Sequence, residues 1–490
     1  MPKGARREGE REWLTATPKA GSPCDPRRTG ASMNVQFKNS VARATPILAL
    51  DRAAYQALAP KLPKRTQQWL ATLGFSAAPD TFALVPGEDG KLAQVFAGVA
   101  HAAHPFGLSA LPLALPEGAY TLSPDGLPLQ DEAAALSWEL GCYQFDLYKP
   151  RKRQPAQLLI KSSPDGQRGL AIATAMTAVR DLVNTPAEHM GPDELSKAAA
   201  VVGKQHGAKF KEIVGDDLLK KNFPAIHAVG RASTRAPRLI ELNWGSDKHP
   251  RLTLVGKGVC FDTGGLDIKP ADGMRQMKKD MGGAANTLGL ATLIMALKLP
   301  VRLQVLIPAV ENSISGNAYR PGDVIKTRAG LHIEIGNTDA EGRVILCDAL
   351  AYAVESKPEL IIDLATLTGA ARIALGAQLP ALFTRHMDTA RDLVDLGLKM
   401  DDPLWHLPLW APYKEGITSS IADIVNTGRN ALGGAINAAL FLEAFVPAEQ
   451  DWLHIDLFAW NDIARPGRPV GGEAQTIRTL LAYIEERFSA

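Results

Sequence analysis

Six short apolar runs alternate with helical stretches over the second half of the chain: RLIELNW (238–244), RLTLVG (251–256), RLQVLIPAV (302–310), LHIEI (331–335), ELIIDLA (359–365) and WLHIDLF (452–458). Strands this apolar need cover on both faces, and helical patterns such as those at 284–298 and 344–355 supply it. The pattern predicts an α/β fold whose mostly parallel central sheet is flanked by helices. In such sheets ligands bind beyond the carboxyl ends of the strands, so chemistry is expected in the segments that follow these runs.

A second α/β unit precedes this one. TPILAL (45–50), TFALV (81–85), AQVFAGVA (93–100) and AQLLIK (156–161) read as strands, with helical stretches near 65–73 and 131–140. At 490 residues the chain exceeds one ordinary core, so two domains are expected, a smaller one over 33–165 and a larger one over 192–490. Between them, 166–191 reads as a linker helix, patterned from Gly169 to Val183 and ended by the Pro and Gly of NTPAEHMGP. Residues 1–32 mix Arg, Glu, Gly and Pro and lack the apolar centre of a signal peptide. They read as a disordered tail, or as the product of a start codon placed upstream of Met33.

A formal net charge of +2 excludes a strongly basic surface, and KPRKR (149–153) reads as a solvated linker, which leaves nucleic-acid binding unsupported. No apolar run approaches the ~20 residues needed to cross a bilayer. Cys24, Cys142, Cys260 and Cys347 lie far apart with no CxxC pair, which argues against a disulfide framework or a thiolate metal site and fits a reducing, cytoplasmic setting. Cys260 reads as a small buried apolar residue.

Two acid-bearing segments follow strands. After residue 256 comes KGVCFDTGGLDIKPADGMRQMKKDMGGAANTLGLA (257–291), in which paired glycines permit tight turns among Lys257, Asp262, Lys269 and Asp280. A phosphate loop needs GxxxxGK[ST], and Lys257 is followed by Gly258, so none is indicated. Asp267, Asp272, Lys278 and Lys279 read as solvated loop charges. After residue 335 comes GNTDAEGRVILCDALAY (336–352), with Asp339, Glu341 and Arg343 within five residues. Locally, Gly336-Asn337 is a turn and Thr338-x-x-Glu341 reads as a capping box.

If the two strand ends are neighbours in one sheet, Asp262, Asp280, Asp339 and Glu341 converge. Four carboxylates sharing a dry cleft need cations, and two divalent ions ~3.5–4 Å apart, bridged by carboxylates, meet that need. No histidine need take part, since His332 alone falls between 256 and 343. The residues by themselves leave a dinuclear site and a merely solvated loop both open.

NTDAEGR (337–343), with GKGVCFDTGG (256–265), IKP (268–270) and KKDMGGAA (278–285), resembles the leucyl aminopeptidases of the cytosol aminopeptidase family, also called M17. The resemblance covers about 190–490 and implies that 192–490 is a metallopeptidase domain that releases N-terminal amino acids from peptides. It implies two divalent metals, Mn or Zn, bridged by Asp262 and Glu341. Asp339 would hold the first, and Lys257 and Asp280 would complete the second. Lys257 could do so only as the neutral amine, which burial and adjacent dications favour. Lys269 and Arg343 match the family's catalytic cations, the first stabilising the oxyanion and the second holding a bicarbonate that serves as base. A free substrate α-amine would meet the second metal and Asp280, which makes the reaction exopeptidic.

The same resemblance implies a side-chain pocket including Met277, Thr366, Leu367 and Gly369, and a homo-oligomer, a hexamer, built through the catalytic domains. One departure matters. HIDLFAWND from His454 places Phe458 and Asn461 where relatives continue a small-residue pattern, so one of these is expected to narrow or alter the pocket for the first residue. A two-metal phosphoesterase is the rival enzyme class, disfavoured by the lack of a phosphate loop and by Lys257 as ligand.

Overall fold

The most apolar runs take the centre of the larger sheet. In the computed structural model, which describes residues 33–38, 44–151 and 153–488, Arg251–Gly256 and Leu360–Ala365 pair in parallel, Leu252 opposite Leu360 and Gly256 opposite Leu364. Every residue of Leu360–Ala365 is buried, as a strand covered on both faces must be. Trp452–Asp456 joins on one side and Arg302–Asn312 on the other, both in parallel. Pairing turns antiparallel where Ala381–Thr384 and Arg238–Trp244 extend the sheet, and Lys209–Val214 and Trp405–His406 form its edges. Gly258–Asp262 runs beside the far end of Arg302–Asn312, which brings Asp262 opposite Asn312.

The smaller sheet has the order Val35–Phe37, Gln157–Ile160, Ala119–Leu122, Thr45–Leu50, Leu92–Gly98, Phe82–Pro86, parallel except for the last pair. The helix expected from Gly169 begins at Pro164, where the Ser163 hydroxyl accepts the Gly166 N–H at 3.1 Å and Pro occupies the first helical position. Running to Asn184, it packs on Asp131–Cys142 and also on Gly282–Ala296. One helix therefore contributes to the cores of both sheets.

Two expectations fail here. LHIEI is not a strand of the main sheet: His332–Glu334 pairs with Val324–Lys326 and Ile424–Val425 in a separate three-stranded sheet. Only Ile333 of that strand is buried, and a strand with one buried side chain cannot occupy a sheet covered on both faces. The capping box is also absent. Helix Glu341–Glu355 starts at Glu341 itself, with Ala340 as its cap residue and no side-chain cap bond. The Thr338 hydroxyl accepts the Asp267 N–H at 2.9 Å and donates to the Gly264 carbonyl at 2.6 Å, so it ties the two acid-bearing segments together.

Cys142, Cys260 and Cys347 are buried and unpaired, and burial pushes the Cys260 thiol well above its ordinary pKa, as expected of an inert apolar residue. Residues 1–32 with Cys24, and Lys152 of the basic tract, lie outside the described residues. Among those described, no helix is long and apolar enough to cross a membrane.

Candidate metal centre and substrate cavity

The carboxyl ends of the central strands supply one wall of the site. Lys257 follows Gly256, and its backbone N–H still bonds the Leu364 carbonyl at 3.0 Å while its carbonyl accepts the Ala284 N–H at 2.8 Å. The side chain turns inward, 3% exposed, and places Nζ 2.8 Å from Asp280 Oδ2, 2.9 Å from Glu341 Oε1 and 2.9 Å from the Thr366 carbonyl. Burial alone would push this amine down, but the carboxylates of Asp280, Glu341 and Asp262 outweigh it and hold the pKa above that of an ordinary lysine. The lysine reaches in past Gly342, where a Cβ would lie 2.5 Å from Lys257 Cε and 2.6 Å from Nζ.

Lys269 arrives from the glycine loop. Its Nζ is 2.9 Å from Asp262 Oδ2 and also bonds Asp339 Oδ1. Burial opposes its charge, and Asp262 and Glu341 restore it. Asp262 Oδ1 further accepts the Gly264 N–H and the Asn312 amide, each at 2.8 Å. Thus the four acids expected to converge do converge, although two of them, Asp339 and Glu341, follow a strand of a different sheet than expected. Ligand atoms of Asp262, Asp280 and Glu341, all three buried, lie within 4.8 Å of one another.

That crowding has electrostatic consequences. Glu341 is 1% exposed, and burial followed by the Asp262 charge pushes its carboxyl up to about 8. Asp339 is raised to about 6 by burial and then by Asp262. Glu341 Oε2 and Asp280 Oδ2 are buried without a hydrogen-bond partner; Lys257 sits at ion-pair distance from Asp280 Oδ2 but off the hydrogen-bond direction. Buried carboxylate oxygens this close together, with a lysine amine among them, suit divalent cations. If so, Gly342→Ala, which displaces Lys257, should weaken Mn binding by ~10- to 100-fold. Calorimetric titration of the metal-stripped variant checks this, and an unchanged affinity would count against it.

Arg343 stands behind the cluster rather than on the cavity wall. It makes no ion pair with Glu341 within 4 Å; Nη1 donates to the Asn426 carbonyl at 2.9 Å and Nε, buried, has no partner. Burial brings this guanidinium down to about 10. Asn426 also accepts the N–H groups of Gly336 and Asn337 on its Oδ1 and donates to the Asn337 carbonyl, so it fixes the loop that presents Asp339. Nothing in the sequence pointed to Asn312 or Asn426. Asn312 reaches Asp262, 50 residues before it, and Asn426 reaches Gly336, 90 residues before it, and only the folded topology brings them together.

A cavity of about 310 Å³ opens beside the acids. Met277, Thr366, Leu367 and Gly369 all line it. The Thr366 hydroxyl donates to Asp280 Oδ1 at 2.8 Å, and a Cβ on Gly369 would meet nothing within 4 Å, so this glycine leaves open space. Phe458 lines the cavity; Asn461 does not, because its amide is spent on the carbonyls of Ile463, Arg468 and Pro469, each at 2.8 Å. Lys279 also differs from the solvated loop charge expected of it. The 3-10 helix Met277–Met281 turns it inward, 6% exposed, onto the Phe458 ring, and burial lowers its ammonium to about 8. Lys278 is half-buried and donates to the Asn184 carbonyl at 2.6 Å.

Known proteins resemble both parts of the chain. Residues 177–481 match the model of the cytosol aminopeptidase family, catalytic domain, and residues 45–161 match that of the M17 aminopeptidase, N-terminal domain. A probable cytosol aminopeptidase of Geobacter is 40% identical over 377 residues, 74% of this chain and 76% of that one. The crystal structure of a cytosol aminopeptidase from Coxiella burnetii superposes with a TM-score of 0.89 at 48% identity, covering 93% of this chain and 99% of its own. The bottromycin maturation enzyme BotP, in complex with Mn, superposes with a TM-score of 0.82 at 32% identity over 91% of this chain and all of its own. The chain belongs to the cytosol aminopeptidase family of metal-dependent hydrolases.

Proposed function

We propose that this aminopeptidase works with two divalent metal ions held by Asp262, Asp280, Asp339, Glu341 and the neutral amine of Lys257, Asp262 and Glu341 being shared between them. The observation that carries this is the convergence of three buried acids within 4.8 Å, two of which have oxygens lacking a hydrogen-bond partner. When bound, such ions lower the pKa of water and polarise the scissile carbonyl. Asp280 is positioned to receive the substrate α-amine, which an internal peptide bond lacks. Lys269, which pairs with Asp262 and lines the cavity, is the proposed donor to the oxygen that gains charge. Arg343 is the proposed holder of a bicarbonate that accepts the proton, since its guanidinium carries donors beyond the one given to the Asn426 carbonyl.

Mn and Zn both suit these oxygen and nitrogen donors, and the Mn complex of BotP favours the first. The family resemblance extends the proposal to a cytoplasmic hexamer. Aminoacyl amides should be hydrolysed by the Mn-loaded chain, their N-acetylated counterparts should not, and a chelator should abolish turnover. Equal rates on free and acetylated substrates would overturn the exopeptidase reading.

A further inference from the structure

We propose that Lys279 and Arg372 make the part of the cavity around Phe458 a carboxylate site, so that the enzyme selects peptides whose first residue is glutamate or aspartate. The inference rests on the aminopeptidase reading above. The Phe458 ring carries Lys279 Nζ 4.7 Å and Arg372 Cζ 4.8 Å from its centroid, and all three residues line the cavity. Two cations on one ring give the cavity wall around Phe458 a positive charge, of opposite sign to the acids of the metal centre.

Lys279 has no anion of its own. Among the described residues its buried ammonium makes no hydrogen bond and has no carboxylate within 4 Å, and the face of a ring replaces only part of the lost hydration. The nearby acids are committed elsewhere. Asp280 faces Lys257 and the Thr366 hydroxyl, while Asp456 accepts the N–H groups of Leu367 and Thr368 and the Thr368 hydroxyl. Arg372, exposed on the helix Gly369–Leu375, likewise has the ring as its only partner among the described residues. A leucine side chain in this cavity would strip water from Lys279 and return nothing. A glutamate would pair with it, while Met277, Leu367 and Leu379 offer apolar walls to its methylenes.

The test compares glutamyl and glutaminyl amides, near-isosteres that differ in charge, on the Mn-loaded full chain. The glutamyl substrate should have the larger kcat/KM by at least ~10-fold, and Lys279→Met should lower that ratio ~10- to 100-fold, the range for a hydrogen bond to a charged group. Arg372→Gln, at a more exposed position, should lower it less. A ratio taken on one preparation is insensitive to losses of folded or metal-loaded protein. A ratio of one or below in the parent enzyme, or a ratio unmoved by Lys279→Met, overturns the proposal. So does a preference for leucyl dipeptides with a free over an amidated C-terminus that Lys279→Met removes, because the bound carboxylate would then belong to the leaving side. Turnover of leucyl amide without glutamyl preference sinks this inference alone; no turnover of any aminoacyl amide sinks the aminopeptidase reading and the inference with it.

Discussion

Lys269→Ala is expected to lower kcat by ~10² to 10³ with both metals still bound, whereas Lys257→Ala is expected to lose the second metal. The two lysines are twelve positions apart and enter the same acid cluster, yet each pairs with a different two of its carboxylates. The Lys269 side chain is 14% exposed, on the cavity side, and bridges Asp262 and Asp339 as an ammonium. Nothing requires it to lose its proton, so its removal takes away a donor to the developing oxyanion. Lys257 is enclosed, 3% exposed, with Asp280, Glu341 and the Thr366 carbonyl around its nitrogen. Without metal these carboxylates hold it as an ammonium that takes the place of a cation. A dication entering the cluster supplies that charge instead, and the amine can coordinate only after releasing its proton, so binding at this position is coupled to proton loss. Excess Mn should restore part of the activity of Lys257→Ala and none of that of Lys269→Ala. Plasma spectrometry separates the cases: a full metal complement in Lys257→Ala, or a missing metal in Lys269→Ala, would reverse the assignment.

Glu341→Gln should empty at least one metal position and cost at least ~10²-fold in kcat/KM, while the metal-free protein stays folded. The second half of this expectation follows from the sign of the pKa shift. Burial and Asp262 raise the Glu341 carboxyl from its unfolded value to about 8. An acid whose pKa is raised in the fold costs stability as pH rises from its unfolded pKa to its folded one, so at pH 7 the metal-free protein carries a penalty that glutamine removes. The melting temperature of the metal-free variant should therefore equal or exceed that of the parent. A lower value, with full metal content, would indicate that Glu341 acts chiefly in starting its helix.

The strands at the centre of the sheet were legible because burial on both faces leaves only apolar residues there; Arg238–Trp244 and Arg251–Gly256 agree with their runs residue for residue. The metal-binding candidates were legible from their motifs, although the physical argument put two of them on the wrong sheet. LHIEI alternates as any half-buried strand does, and alternation carries no information about which sheet a strand joins. The capping box failed for a related reason. Its local pattern is complete, but Thr338 finds partners in the glycine loop seventy residues earlier, and those contacts win. Lys279 sits in a hydrophilic stretch that reads as solvated, and only the turn of Met277–Met281 buries it. Asn312, Asn426 and Asp456 orient the site across sheet strands and leave no periodic trace in the sequence.

The claim on which the rest depends is that the buried acids hold two metals. Metal-stripped chain, reloaded with Mn and freed of excess by gel filtration, should carry about two ions per chain by plasma spectrometry, falling to about one or fewer in Glu341→Gln. Less than one ion per chain in the parent, or an equal content in the two proteins, would contradict it.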